Sequence, residues 1–125
     1  GSCAVVVLIV GDICYVSNLG DSRAVLSADR GKKIIPLSED HKPSEDFEKN
    51  RILAAGGKIY QSQIPQPMKM GSTQQTVLLG PFRVLPGRLS VSRTFGDIEA
   101  KLTKYGGNPH VVIATPDIRS FKVTK

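Results

Sequence analysis

Leu19-Gly20-Asp21-Ser22-Arg23-Ala24-Val25-Leu26 is the stretch on which the fold turns. An apolar strand pattern breaks at Gly20-Asp21 and resumes at Arg23, which leaves one carboxylate at a turn between two expected buried ribbons. Glycine takes positive φ without a steric penalty, and an aspartate in a turn either bonds neighbouring amides or faces outward to hold a cation. Residue type and spacing leave both readings open for Asp21.

Before this turn, Ala4 to Val10 is a short run of Val, Leu and Ile, which fits a strand buried on both faces better than a helix, which would need about ten residues or more. Gly11-Asp12 closes a hairpin into a second strand, Ile13 to Asn18. After the turn, Ser22 to Ala28 reads as a third strand, Asp29-Arg30-Gly31 as a tight turn and Lys32 to Leu37 as a fourth strand. The first 37 residues are therefore expected to form an antiparallel meander, which requires a second layer over its apolar face.

A helix is expected from Ser44, behind Pro43. Glu45 and Asp46 lie in its first turn, Glu45 with Lys49 and Glu48 with Arg51 form side-chain pairs, and Gly56-Gly57 is the stop. Phe47, Ile52 and Ala55 form its narrow inward face. From Gln61 to Gly87 periodicity dissolves into Ser, Gln, Pro, Met and Gly, the pattern of a mobile flap or a tolerated surface insertion. Order resumes at Arg88 to Arg93, and Arg93 is spaced to pair with Asp97. A short helix over Ile98 to Tyr105 and strands at Val111 to Ala114 and Ser120 to Val123 complete the pattern.

No apolar run approaches the roughly 18 to 20 residues of a membrane-spanning helix, and no export signal is recognisable. No membrane partner is expected, and the expected location is cytoplasmic or nuclear. Cys3 and Cys14 lie in strand-like stretches without metal-ligand spacing and are expected to be reduced and buried. His41 and His110 are too far apart to suggest a ligand pair, so each reads as a lone loop or strand-edge histidine. The net charge of +6 is uneven: residues 1 to 62 carry 8 basic and 8 acidic side chains, residues 63 to 125 carry 9 and 3. That excess suits an anionic partner, but no long basic run, zinc finger or aromatic single-strand pattern favours nucleic acid.

Gly1-Ser2-Cys3-Ala4, Gly20-Asp21-Ser22-Arg23-Ala24, Asp40-His41-Lys42-Pro43, Glu48 with Arg51-Ile52, Ala55-Gly56-Gly57, and Leu89-Ser90-Val91-Ser92-Arg93-Thr94-Phe95-Gly96-Asp97 together resemble, in order and spacing, the metal-dependent serine/threonine protein phosphatases of type 2C. The resemblance implies an α+β fold, an antiparallel β-sandwich flanked by helices, of which residues 1 to 125 are the central portion. It implies Mn2+ or Mg2+ as cofactor and a phosphorylated protein as substrate, hydrolysed by metal-activated water. Asp21 matches an aspartate that in some members helps to hold a third metal ion. The span from Gln61 to Gly87 falls at the family's flap, where Lys69, Arg83 and Arg88 supply positive charge.

The family's Asp-Gly-His-Gly-Gly string and its later Asp-Gly and Asp-Asn strings do not occur here, so no residue inherits a catalytic role and His41 belongs to a different motif. The chain alone is expected to be inactive and, with open strand edges, to self-associate. The alternative function is a non-catalytic phosphatase-like module that binds an acidic or phosphorylated protein.

Overall fold

The computed structural model describes residues 1–124. In chain order the elements are β1 (Ala4–Val10), β2 (Ile13–Leu19), β3 (Val25–Ala28), β4 (Lys33–Pro36), α1 (Asp46–Ala54), β5 (Lys58–Pro65), β6 (Val77–Leu85), α2 (Ile98–Lys101), a 3-10 turn at Thr103–Tyr105 and β7 (Asp117–Lys122). All strand ladders are antiparallel, and they form three small sheets: β1-β2-β7, β3-β4 and β5-β6.

The hairpin at Gly11-Asp12 forms as its sequence predicts, with Gly11 at φ 60° and Val10 opposite Ile13. The expected four-strand meander does not form. The strand after Gly20-Asp21 leaves the first sheet, because both backbone groups of Gly20 are bonded to His41 rather than to a neighbouring strand. β2 pairs instead with β7, which starts at Asp117, three residues before the expected strand.

β1 is consequently an edge. It was expected to be buried on both faces, yet Val6, Val7, Leu8, Ile9 and Val10 each expose at least half of their surface, since nothing among the described residues is layered over them.

α1 starts at Asp46 rather than Ser44, because Pro43 and Ser44 are used in a turn closed by the Glu45 amide on the Lys42 carbonyl. Its end is as read: Gly56 at φ 88° and Gly57 donate to Leu53 and Ile52 carbonyls, the paired bonds of a Schellman cap. Ile52 points inward, but Phe47 is exposed and Glu48 takes the buried place on that face.

Ile52 packs with Val84, Ala100, Val111 and Val112, flanked by Ala55, Ile59 and Leu89. Burying each large aliphatic here contributes about 1.5–3 kcal/mol. Val111 to Ala114 is not a strand. Asn108 turns the chain so that both valines plug this core, and Ile113 makes one isolated parallel bridge to Arg93.

The span read as irregular, Gln61 to Gly87, is mostly a long hairpin of β5 and β6. Periodicity hid it for two reasons. Most of its side chains are exposed on both faces, so no apolar alternation is required. Pro81 sits at a bulge between Gln61 and Gln63, where the missing amide costs no ladder bond. The expected helix over Ile98 to Tyr105 is split at Leu102, which is extended at φ −94°, ψ 125°.

Candidate functional site

β2 brings the buried Leu19 to the end of the first sheet, and Gly20 then turns the chain at φ 107°. A Cβ at Gly20 would collide with the Cys3 thiol, so glycine is required by space as well as by backbone conformation. The Gly20 amide donates to His41 Nδ1 at 2.9 Å, and its carbonyl accepts from the His41 amide at 3.0 Å and from Asn18 Nδ2 at 3.3 Å.

Asp21 follows, exposed to solvent, with the Cys3 thiol donating to Oδ1 at 3.7 Å. It enters no ion pair among the described residues and lines a 330 Å³ cleft with Lys42, Ser44, Pro81, Phe82 and Ser90. The turn thus hands its charge to the cleft.

The arginine two residues on does not serve Asp21. Arg23 Nε and Nη2 donate to the two oxygens of Asp40 at 3.1 and 2.8 Å, and Lys42 Nζ lies 3.4 Å from the same carboxylate. The Arg23 hydrogen bond holds the Asp40 carboxyl below its ordinary range, against the opposing effect of burial.

Behind the turn lies a buried chain of charges that the sequence reading missed. A backbone amide can only donate, so His41 Nδ1 is the acceptor and Nε2 carries the proton that it donates to Asp117 Oδ2 at 2.8 Å. His41 is the lone loop histidine expected, but it is 0% exposed. Asp117 Oδ1 accepts from Arg93 Nη1 at 3.1 Å. Burial would raise the Asp117 carboxyl, but the bond from His41 and the charge of Arg93 bring it below its ordinary range.

Arg93 also reaches Glu48 through Nε and Nη2 at 3.1 and 2.6 Å, so the expected Arg93–Asp97 pair is not formed. Asp97 lies beside Gly1 instead, its Oδ1 3.2 Å from the Gly1 nitrogen. Arg93 is held by two carboxylates on separate elements, Glu48 on α1 and Asp117 on β7.

Glu48 is the hub. Besides Arg93 it accepts from Arg51 Nε and Nη2 at 3.1 and 2.7 Å and from the Ser92 hydroxyl. Burial opposes its ionisation, but the hydrogen bonds from Arg51, Arg93 and Ser92 outweigh it and lower its pKa to about 2. One signal in the sequence pointed to it: Glu48 lies four residues before Ile52, a carboxylate on the apolar stripe of a short helix. His110 is bonded through its backbone, its carbonyl accepting from Arg51 and its amide donating to Asn108 Oδ1.

Among the described residues, no group of three His, Cys, Asp or Glu side chains is gathered closely enough to hold a metal ion. The donor chemistry of Asp21 nevertheless suits a hard cation: an exposed carboxylate at a rigid turn, beside a cleft and without a cationic partner. A single carboxylate does not by itself complete such a site. Cys14 is buried and Cys3 half-buried, and both are free thiols.

The profile described as Protein phosphatase 2C matches residues 1–125. The chain belongs to the protein phosphatase 2C family. It is 37% identical to a putative protein phosphatase 2C 22 of Oryza sativa subsp. japonica over 99% of its length and 22% of that protein's, and 37% identical to protein phosphatase 2C homolog 3 of Schizosaccharomyces pombe over 99% and 24%. It superposes on the crystal structure of a phosphatase from a pathogenic strain of Toxoplasma gondii with a TM-score of 0.56 at 33% identity, covering 89% of this chain and 28% of that one. The fold is α+β and phosphatase 2C-like. The chain spans about a quarter of the length of these curated relatives.

Proposed function

We propose that this chain is a central part of a phosphatase 2C catalytic domain whose complete form hydrolyses phosphoserine and phosphothreonine in proteins. The family match along all 125 residues carries this reading. A bound Mn2+ or Mg2+ would neutralise charge on the phosphoryl group and activate water. Within the chain, Asp21 presents one carboxylate to that ion, and Lys42, with the Ser44 and Ser90 hydroxyls, offers donors to an anionic substrate entering the cleft. Phe82 and Pro81 bring the β5-β6 hairpin to the same cleft, which supports reading the hairpin as a flap beside the substrate.

By itself the chain supplies too few ligands for turnover, and its bare β1 edge suits self-association. Phosphothreonine peptide hydrolysis in Mn2+ tests the whole reading. The intact protein is expected to turn over and the 125-residue chain not to. Asp21→Ala in the intact protein should raise the Mn2+ concentration required, with stability changed by no more than about 1 kcal/mol. An intact protein without phosphatase activity that still binds phosphopeptide would favour a non-catalytic binding module.

A further inference from the structure

We propose that His41 is a positioning residue, which fixes the direction of the Asp21 carboxylate by holding Gly20 on both sides. The inference rests on the reading of Asp21 as a metal-facing carboxylate. The imidazole accepts the Gly20 amide on Nδ1 while the His41 amide binds the Gly20 carbonyl, so the residue before Asp21 is gripped through both of its backbone groups. The opposite ring nitrogen is anchored to Asp117 on β7, and Asp117 accepts from Arg93, which also donates to Glu48.

His41 and Glu48 are completely buried, and Asp117, half open to solvent, links them through Arg93. A turn held only by its own residues would leave Asp21 free to sample several directions. A turn held by this chain presents one direction, and an ion that requires fixed oxygen positions gains from that preorganisation. His41 touches neither metal nor substrate and acts only through Gly20.

Two substitutions separate the two ends of the ring. In His41→Asn, the amide oxygen stands where Nδ1 stood and still accepts from Gly20, but Asp117 is lost. In His41→Gln, the amide nitrogen stands where Nε2 stood and still donates to Asp117, but the Gly20 acceptor is lost. Both variants lose one buried hydrogen bond, so both should be destabilised to a similar extent in urea.

In the intact protein, Mn2+ affinity measured from the electron paramagnetic resonance of free Mn2+ should fall about tenfold in His41→Gln, and much less in His41→Asn. In the intact protein, 15N relaxation should give Asp21 a rigid-backbone order parameter of about 0.85 in the wild type, a slightly lower one in His41→Asn, where the anchor to Asp117 is lost, and the lowest in His41→Gln, where Gly20 itself is released. Equal effects of the two variants on affinity and on Asp21 order would reduce His41 to a structural residue and overturn the proposal. So would a mobile Asp21 in the wild type, which needs no variant to fold. If the intact protein binds no Mn2+, the phosphatase reading fails, and Asp21 order in the two variants still decides whether His41 positions it.

Discussion

Two regions of this chain invert the usual arrangement of a small protein. Around Glu48, groups that water normally solvates are buried: Glu48 and His41 are 0% exposed, and Arg93 is 8% exposed. Along β1, five consecutive aliphatic side chains are half open to solvent. The difference lies in what each region needs for completion. The charged cluster carries its own partners, with four donors from Arg51 and Arg93 and one from Ser92 all meeting a single carboxylate, so it is satisfied within the chain. An apolar strand has no internal way to satisfy itself and waits for another surface.

Removing the hub is the most severe way to break the comparison. Glu48→Ala would leave the buried Arg93 and the partly buried Arg51 without their shared carboxylate, a loss of about 3–5 kcal/mol. That approaches the whole stability of many domains of this size. Urea unfolding followed by circular dichroism should show a shifted midpoint or no cooperative transition; an unchanged midpoint would mean that the cluster contributes nothing net.

Acid attacks the same hub more gradually. The Glu48 carboxyl ionises near pH 2 in the fold and near 4.5 in the unfolded chain. Its contribution is therefore whole above about pH 4.5 and is lost as pH falls towards 2, on the order of 3 kcal/mol in all. Asp40 and Asp117 are shifted in the same direction and steepen the loss. Thermal midpoints between pH 7 and 2.5 should fall on the acid side of 4.5, and a flat profile would show that the carboxylate is not held as described.

These two regions were unequally legible in the sequence. The β1-β2 hairpin and the helix stop at Gly56-Gly57 were readable because local chemistry alone dictates them. The partners of Arg93 were not, since Glu48 lies 45 residues before it and Asp117 lies 24 residues after it, and no local rule ranks them above Asp97. The β5-β6 hairpin was missed because, beyond Ile59 and Val84 at its base, it is an exposed ribbon with no buried face to impress a period of two on its side chains. Asp21 was legible as a turn carboxylate, but its residue type and spacing left both an inward bond to its own turn and an outward face open, and the grip of His41 behind it depends on a contact 21 residues away.

The apolar half can be tested with almost no cost to the fold. Leu8 lies on β1 opposite Tyr15, 56% exposed, on an edge strand with no charged side chain. Edge strands are usually kept apart by lysine, proline or a bulge, and β1 has none of these. The wild-type chain should therefore associate as its concentration rises, through β1 edges or their exposed apolar faces. Leu8→Lys places an ammonium on that face while its methylene stem still covers Tyr15, so stability should change by no more than about 0.5 kcal/mol. Sedimentation velocity should show the wild type moving to larger species and the variant remaining a monomer. A wild type that stays monomeric at high concentration would mean that an open apolar edge is tolerated here. Association unchanged in the variant would move the contact to the other apolar groups, such as Ile34 and Ile35 on β4, which are also exposed.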